Sequence, residues 1–147
     1  VYKKELGNVP VMGAYLKRNQ IGVDRGGHAK ALKSLMRGAR EAVAKGGQVL
    51  IFPEGTRQEL DAPPDYKPGI AAMYKDLGVA GTPGALNTGP IWKPKGIMRS
   101  PGHVTFKGLP PIPPGLPRDE FMAELERVLE TESQALLPPD KRRTVAQ

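Results

Sequence analysis

The fold is decided by a short apolar run that passes into a polar turn, Gln48-Val49-Leu50-Ile51-Phe52-Pro53-Glu54-Gly55-Thr56-Arg57. The β-branched and aromatic residues of the run, bounded by Gly47 and Pro53, predict a buried central strand over residues 48–52. A strand of this kind needs covering layers on both faces, and the neighbouring sequence predicts helices that supply them. The sequence therefore predicts an α/β fold, with a mixed sheet flanked by helices.

The helix that leads into this strand has the strongest pattern in the chain. Over residues 28–45 the apolar side chains recur at helical spacing and fall on one side, and Gly46-Gly47 end the pattern. The opposite side carries a basic arc, Lys30, Lys33, Arg37 and Arg40. A basic arc is usually a solvated helix face, and contact with membrane headgroups is the alternative.

The remaining elements are predicted from the spacing of the apolar residues and from the Pro and Gly residues that begin or end helices and strands. The pattern predicts helices over residues 9–19, 68–77 and 118–137, an extended segment over residues 20–23, and further strands over residues 79–86 and 104–107. A proline-rich connector joins the last strand to the last helix. Residues 1–137 are therefore expected to form one domain, and residues 138–147 a flexible tail.

The composition describes one soluble or membrane-surface domain with an anionic partner. The 147 residues are 39% hydrophobic and include no cysteine, which excludes disulfides, thiolate metal sites and a cysteine nucleophile. The two histidines, His28 and His103, have no ligand partners near them in sequence, so no metal site is expected. Residues 1–57 hold all of the basic excess, which suits nucleic acid, phosphorylated metabolites or acidic lipid headgroups.

The polar turn holds the residues most suited to chemistry. Because ligands bind where the strands of α/β folds end, Glu54, Thr56 and Arg57 would stand at a strand edge as acceptor, hydroxyl and cation. Pro53 stops strand pairing and Gly55 permits a close turn. This set suits a polyol that bears a phosphate. The simpler alternative is an ordinary turn in which Glu54 and Arg57 pair with each other in solvent.

The exact amino-acid sequence of the turn favours a ligand-binding role over an ordinary surface turn. Phe52-Pro53-Glu54-Gly55-Thr56-Arg57 resembles the third signature block of the glycerolipid acyltransferase superfamily. Residues 21–25, which read Ile-Gly-Val-Asp-Arg, resemble the second block, whose Arg helps to hold the acceptor phosphate, a role implied here for Arg25. Residues 82–89 resemble the fourth block, although the family usually has Val or Ile where this chain has Gly81 and Gly84. The later segments continue the order of the bacterial lysophosphatidic-acid branch.

The first block of that family is missing from the sequence. It is a His followed, after four residues, by an Asp, and the His acts as the general base on the acceptor hydroxyl. Lys33 stands at the Asp position relative to His28, and Gly108 relative to His103. Neither pair fits, so the resemblance implies an N-terminally truncated acyltransferase domain whose catalytic His and Asp lie upstream of Val1.

The resemblance implies an O-acyltransferase with a glycerol-3-phosphate acyltransferase-like fold. The reaction would move a fatty acyl group from acyl-CoA or acyl carrier protein to 1-acylglycerol 3-phosphate, without a metal or redox cofactor. Arg25, Glu54, Gly55, Thr56 and Arg57 would bind the acceptor, and this fragment alone would be inactive. The expected location is the cytoplasmic face of a membrane, peripheral or anchored through the N-terminal part.

Two alternatives remain at this point. Within the family, the acceptor could be glycerol 3-phosphate or another lysolipid. From a different class, the chain could be a non-catalytic basic module that binds nucleic acid. The 5% aromatic content and the lack of a nucleic-acid-reading motif count against that module, so no nucleic-acid partner is expected.

Overall fold

The structure is a computed structural model that describes residues 2–3, 8–9, 13–14, 21–23, 28–93 and 98–142. The chain divides into two compact units, residues 1–51 and residues 52–147. In chain order the elements are β1 (Tyr2–Lys3), β2 (Gly22–Val23), α1 (His28–Ala44), α2 (Gly69–Leu77), β3 (Gly84–Leu86), β4 (Phe106–Gly108), α3 (Arg118–Leu136) and a 3-10 turn (Pro139–Lys141).

The first unit joins a parallel strand pair to a long helix. β1 and β2 pair in parallel, which confirms the predicted extended segment at Gly22–Val23; residue 20 of that prediction lies outside the described residues. Ile21 packs against α1 where that helix carries Gly38, and a Cβ at Gly38 would lie 2.6 Å from Ile21 Cγ2. Ala39 beside it is fully buried. The strongest helical pattern of the sequence is therefore confirmed, with glycine at the point of close approach.

The basic arc of α1 is exposed where the structure describes it. Lys33, Arg37 and Arg40 all face solvent, and Arg37 forms a loose ion pair with Glu41 at 3.9 Å. Leu32, predicted to lie on the apolar side, is 37% exposed.

The helix predicted over residues 9–19 lies mostly outside the described residues, although Gly13 N donates to Val9 O as a helical turn would.

The structure corrects the prediction of a buried strand over residues 48–52. These residues have no strand assignment, and Leu50 and Phe52 are 70% and 61% exposed. An apolar β-rich run becomes a strand only when a neighbouring chain segment completes its ladder of hydrogen bonds. Among the described residues no strand pairs with this run, so Leu50 and Phe52 stay uncovered while Val49 and Ile51 are half-buried.

In the second unit, helix α2 begins and ends where its flanking Pro and Gly predict. It begins after Pro68 and ends at Gly78, which adopts a left-handed conformation with φ 61° and donates its N–H to Tyr74 O. Ile70, Ala71, Met73 and Tyr74 are buried. The helix thus places an apolar face against the rest of the unit.

Strands β3 and β4 form an antiparallel pair that is shorter than predicted and displaced. β3 occupies only Gly84–Leu86 of the predicted residues 79–86, because Pro83 lacks the N–H that would extend the ladder. Gly81 instead makes an isolated bridge to Ile112. The described strands therefore form a parallel pair and a separate antiparallel pair, which supports the α/β class but not one continuous mixed sheet within the described part of the chain.

Gly84 makes room for an aromatic ring on the opposite strand. A Cβ at Gly84 would lie 2.5 Å from Phe106 Cε2 and 2.7 Å from Cζ, so the ring covers this glycine directly. At Gly81 an added Cβ would meet Phe121 at 3.5 Å, an ordinary contact. The departure from a branched residue at position 84 is thus explained by Phe106, whereas packing leaves position 81 open to a small side chain.

The core of the second unit lies between α2, α3 and the proline-rich connector. Tyr74 of α2 stacks on Phe121 of α3, with ring centroids 3.8 Å apart and planes 10° apart. The Tyr74 hydroxyl donates to Pro113 O and accepts from Leu116 N at 3.1 Å. Leu125 and Leu129 continue the buried face of α3 as its periodicity predicts. One side chain therefore joins both helices to the connector.

The chain continues in a defined path beyond α3 as far as the structure describes it. After the 3-10 turn, the Arg142 guanidinium donates to Leu137 O at 3.0 Å and to Ala135 O at 3.2 Å. These are carbonyl groups at the C-terminal end of α3, where a cation is favourable. None of the described helices has the length and apolar character needed to cross a bilayer.

Candidate functional site

The Pro53-Glu54 dipeptide forms a tight turn between Phe52 and Gly55. Gly55 N donates to Phe52 O at 3.0 Å, and Gly55 adopts a left-handed conformation with φ 67°. Pro second and Gly fourth are the preferences of a common β-turn, and a left-handed backbone favours glycine. Lys67 N also donates to Pro53 O at 2.9 Å, so backbone hydrogen bonds fix the turn on both sides.

Arg57 lies just after this turn, with its guanidinium at the surface. Its Nη1 donates to Lys93 O at 3.3 Å, and its Cζ lies 5.3 Å from the centroid of the Trp92 ring. A guanidinium over an indole face is attracted by the electrons of the ring. Arg57 is not in a salt bridge in the described part of the chain, so the predicted alternative of a Glu54–Arg57 pair is not seen.

A second arginine lies against the same indole. Arg99 Cζ is 4.0 Å from the centroid of Trp92, and Trp92 is 47% exposed. Ser100 N donates to Ile91 O at 3.1 Å, which holds the Arg99 segment alongside the Trp92 segment. Sequence reasoning had found neither Trp92 nor Arg99 as site residues. Trp92 carried one signal, since it is the only tryptophan of the chain, whereas Arg99 carried none.

An open cleft of about 480 Å³ adjoins this cluster. One wall is the segment after the third-block turn, and another is the end of the fourth-block segment, at Gly89 and Pro90. The lining residues are Gln58, Glu59, Leu60, Asp61, Gly89, Pro90, Lys93, Ser100 and Lys141. Two segments that the sequence singled out separately are thus brought to one cleft.

Glu54 lies close enough to Tyr66 to affect that hydroxyl. Tyr66 OH donates to a carboxylate oxygen of Glu130 on α3 at 2.8 Å. Burial raises the pKa of Tyr66 well above its usual range, and the negative charges of Glu130 and Glu54 raise the pKa further. Glu54 is half-buried, while Thr56 is exposed. The acidic residue of the turn therefore belongs to a partly desolvated polar cluster.

Asn87 of the fourth-block segment ties three parts of the chain together. Its side-chain amide donates to His103 O at 3.2 Å and to Leu136 O at 3.5 Å, while its carbonyl oxygen accepts from Thr105 N at 2.7 Å. The sequence suggested no role for this side chain. These contacts hold the end of β3 to the segment that leads into β4 and to the end of α3.

Of the predicted acceptor-binding residues, the structure places Glu54 and Gly55 in the turn and Thr56 and Arg57 directly after it. Arg25 lies outside the described residues, so its place in the site stays a prediction. Among the residues that the structure does describe, no three His, Cys, Asp or Glu side chains come together in a way that could hold a metal ion. The assembled chemistry is an exposed guanidinium pair, an indole and a polar cleft.

Comparison with known proteins identifies relatives of this chain. A 1-acyl-sn-glycerol-3-phosphate acyltransferase of Pseudomonas aeruginosa is 36% identical over 105 residues, which are 71% of this chain and 41% of that protein. Proteins of the same name from Cocos nucifera and Limnanthes douglasii are 29% and 32% identical, over 76% of this chain and 37% and 41% of their own lengths. The chain thus spans about two fifths of the curated relatives that it matches.

No solved structure shows a significant match to the chain. The family model described as Acyltransferase matches residues 1–87, a stretch that contains the third-block turn and all of β3. Because that match covers more than half of the 147 residues, the chain belongs to the acyltransferase family.

Proposed function

We propose that the protein containing this chain transfers a fatty acyl group from a thioester donor to 1-acylglycerol 3-phosphate, which gives phosphatidic acid. The family supports acyl transfer, and the names of the relatives support this acceptor. The observation that carries the proposal is Arg57. Its exposed guanidinium lies over Trp92 and donates to the carbonyl oxygen of Lys93, a residue that lines the cleft, and an exposed guanidinium held in this way suits a phosphate.

In the proposed reaction, the free hydroxyl of the acceptor attacks the thioester carbonyl carbon. A carbon–oxygen bond forms, the carbon–sulfur bond breaks, and the hydroxyl proton passes through a general base to the departing thiolate. The sequence holds no His and Asp with the family spacing, so the proposal assigns the base to a His outside this sequence. The oxidation states do not change, so the step needs no redox cofactor, and it uses no metal.

The residues of this chain bind and orient the acceptor. Arg57, together with Arg25, fixes the phosphate, and orientation of the hydroxyl accounts for their contribution to rate. Glu54 orients the glycerol portion or stabilises the turn, with Thr56 in a lesser part of the same task. Gly55 keeps the turn tight. The complete domain is proposed to have the glycerol-3-phosphate acyltransferase-like arrangement, with a mixed sheet flanked by helices.

The donor and the location complete the proposal. Acyl-CoA and acyl carrier protein both present the required thioester, and acyl carrier protein would be a protein partner. Because both lipids of the reaction reside in bilayers, the enzyme would act at the cytoplasmic face of a membrane, peripheral or anchored. The exposed basic arc of α1 at Lys33, Arg37 and Arg40 suits an anionic surface of that kind.

Acyl transfer by the longer protein that carries the His and Asp block tests this function. We expect thiol release from acyl-CoA in the presence of 1-acylglycerol 3-phosphate, with much weaker release for glycerol 3-phosphate. The 147-residue chain alone should show none. Activity of that chain alone would contradict the assignment of the base, and a preference for glycerol 3-phosphate would replace the proposed acceptor.

A further inference from the structure

Two guanidiniums converge on one indole at the rim of the cleft. Arg57 Cζ and Arg99 Cζ lie 5.3 Å and 4.0 Å from the Trp92 centroid, so the two Cζ atoms are at most about 9 Å apart, the sum of those distances. Both arginines are exposed. The Arg99 guanidinium also donates to Met98 O at 3.3 Å. Two guanidiniums on one indole make the local electrostatic potential positive, which attracts an anion.

We infer that Arg99 is a further cation for the phosphate of the acceptor, in addition to Arg57 and Arg25, with Trp92 as the positioning residue of Arg57 and Arg99. The inference rests on the proposed function for the identity of the acceptor. A phosphate that accepts hydrogen bonds of about 2.8 Å from two guanidiniums places their Cζ atoms roughly 8 Å apart. The two distances to Trp92 set only an upper limit on the separation of the Cζ atoms, so the inference rests on the shared indole and on the exposure of both guanidiniums.

The backbone around Trp92 supports this arrangement. Trp92 N donates to Thr88 O at 2.8 Å, and Ser100 N donates to Ile91 O at 3.1 Å, so the segments of Trp92 and Arg99 are held side by side. Gly102 lies against Ile91 so closely that an added Cβ would be 2.9 Å from Ile91 Cγ1. The backbone segments that carry the indole and the Arg99 guanidinium are therefore held together without a ligand.

The charge of the cleft places the phosphate at its rim. Glu59 and Asp61 line the cleft together with Lys93 and Lys141, so the wall has both signs of charge. A phosphate monoester carries close to two negative charges at neutral pH, and the carboxylates would disfavour it inside the cleft. Outside the cleft, beside the lining residues Gln58 and Ser100, it would meet Arg57 and Arg99. The matched charge favours a monoester, as in the acceptor, over the singly charged phosphodiester of bulk phospholipids.

The only tryptophan of the chain reports on this site directly. Titration of the 147-residue protein with glycerol 3-phosphate should change Trp92 emission in a saturable way, and calorimetry should give the same dissociation constant. Glycerol should have no effect. Glycerophosphoglycerol, a soluble phosphodiester, should bind about tenfold more weakly. Equal binding of the diester would assign the site to bilayer headgroups and overturn the inference.

Substitutions test whether Arg99 itself, and not the net charge of the protein, supports binding of glycerol 3-phosphate. Arg99→Gln and Arg57→Gln should each weaken glycerol 3-phosphate binding about tenfold, because each removes a charge-assisted hydrogen-bonding group. Arg99→Lys should weaken it about threefold, since it keeps the charge and loses the planar fork. Arg118→Gln, which removes the same charge from an exposed position at the start of α3, should stay within twofold of wild type.

The inference fails if Arg99→Gln binds glycerol 3-phosphate as Arg118→Gln does, or if the wild-type protein does not bind it. Unfolding transitions measured for each variant show whether a loss reflects the site or the fold. The outcome is independent of the acyl-transfer assay. Phosphate binding that depends on Arg99 without acyl transfer would contradict the proposed function alone, and acyl transfer that is indifferent to Arg99 would contradict this inference alone.

Discussion

Removing one hydroxyl, by Tyr74→Phe, should loosen the second unit by an amount that the contacts define. The Tyr74 hydroxyl donates to Pro113 O and accepts from Leu116 N, and the ring stacks on Phe121. Phenylalanine keeps the stack and loses both hydrogen bonds. At about 1 kcal/mol for each bond, the free energy of unfolding should fall by about 2 kcal/mol. For a chain of this size the midpoint of thermal unfolding should fall by about 4–8 °C.

Amide hydrogen exchange tests the assigned cause. The Leu116 amide should exchange faster in the Tyr74→Phe protein, because its acceptor is gone. The Ile112 amide, which donates to Gly81 O at 2.8 Å on the same connector, serves as the internal control and should change only through the global loss of stability. An unfolding midpoint within 1 °C of wild type (about the smallest resolvable shift), with unchanged Leu116 exchange, would refute the reasoning.

Three further predictions concern the site. If the proposed function is correct, Arg57→Ala in the protein that carries the proposed activity should raise the apparent KM for the phosphorylated acceptor about tenfold or more, with Arg118→Ala unaffected; an effect confined to the acyl donor would reverse its assignment. Gly55→Ala should lower the free energy of unfolding by about 1 kcal/mol in urea titrations and Gly55→Asn by less, and a neutral alanine would contradict the left-handed turn. Tyr66 has a raised folded-state pKa, so its contribution to stability is complete below the unfolded value of 10.0 and is lost as pH rises above it. Tyr66→Phe should therefore flatten the alkaline fall of the unfolding midpoint, and an unchanged slope would argue against the Glu130 contact.

Local chemistry was enough to predict the helices. α2 lies where Pro68 and Gly78 placed it, because a helix start and a left-handed stop depend on neighbouring residues. The buried face of α3, with Phe121 and Leu125, followed from spacing alone. These features involve interactions within a few residues, which a sequence pattern reports faithfully.

The strands show where such reasoning ends. Residues 48–52 have the composition of a buried strand, yet pairing depends on a distant partner that the composition does not specify. β4 is displaced to Phe106–Gly108 because its register follows from Gly84 and the ring that covers it. Both errors concern contacts between residues that are far apart in sequence.

The sequence predicts only part of the candidate site, because the rest of it depends on contacts between residues that are far apart in sequence. The turn at residues 52–57 is a local motif, and its wording indicated both the family and the cation Arg57. Trp92 and Arg99 enter the site only through the path of the chain beyond β3. The number of residues between them and the turn does not predict that they lie close to it, and only the fold brings them there.

The aromatic cover over Gly84 has an evolutionary consequence. Because the ring of Phe106 occupies the volume that a β-carbon at position 84 would need, a larger residue at position 84 requires that ring to shift or to be replaced. A lineage that restores valine or isoleucine at position 84 should first, or at the same time, replace the aromatic residue at position 106. The cross-strand pair is therefore expected to change as a coupled substitution, and an ancestral sequence with both bulky residues would need the aromatic ring turned away from position 84.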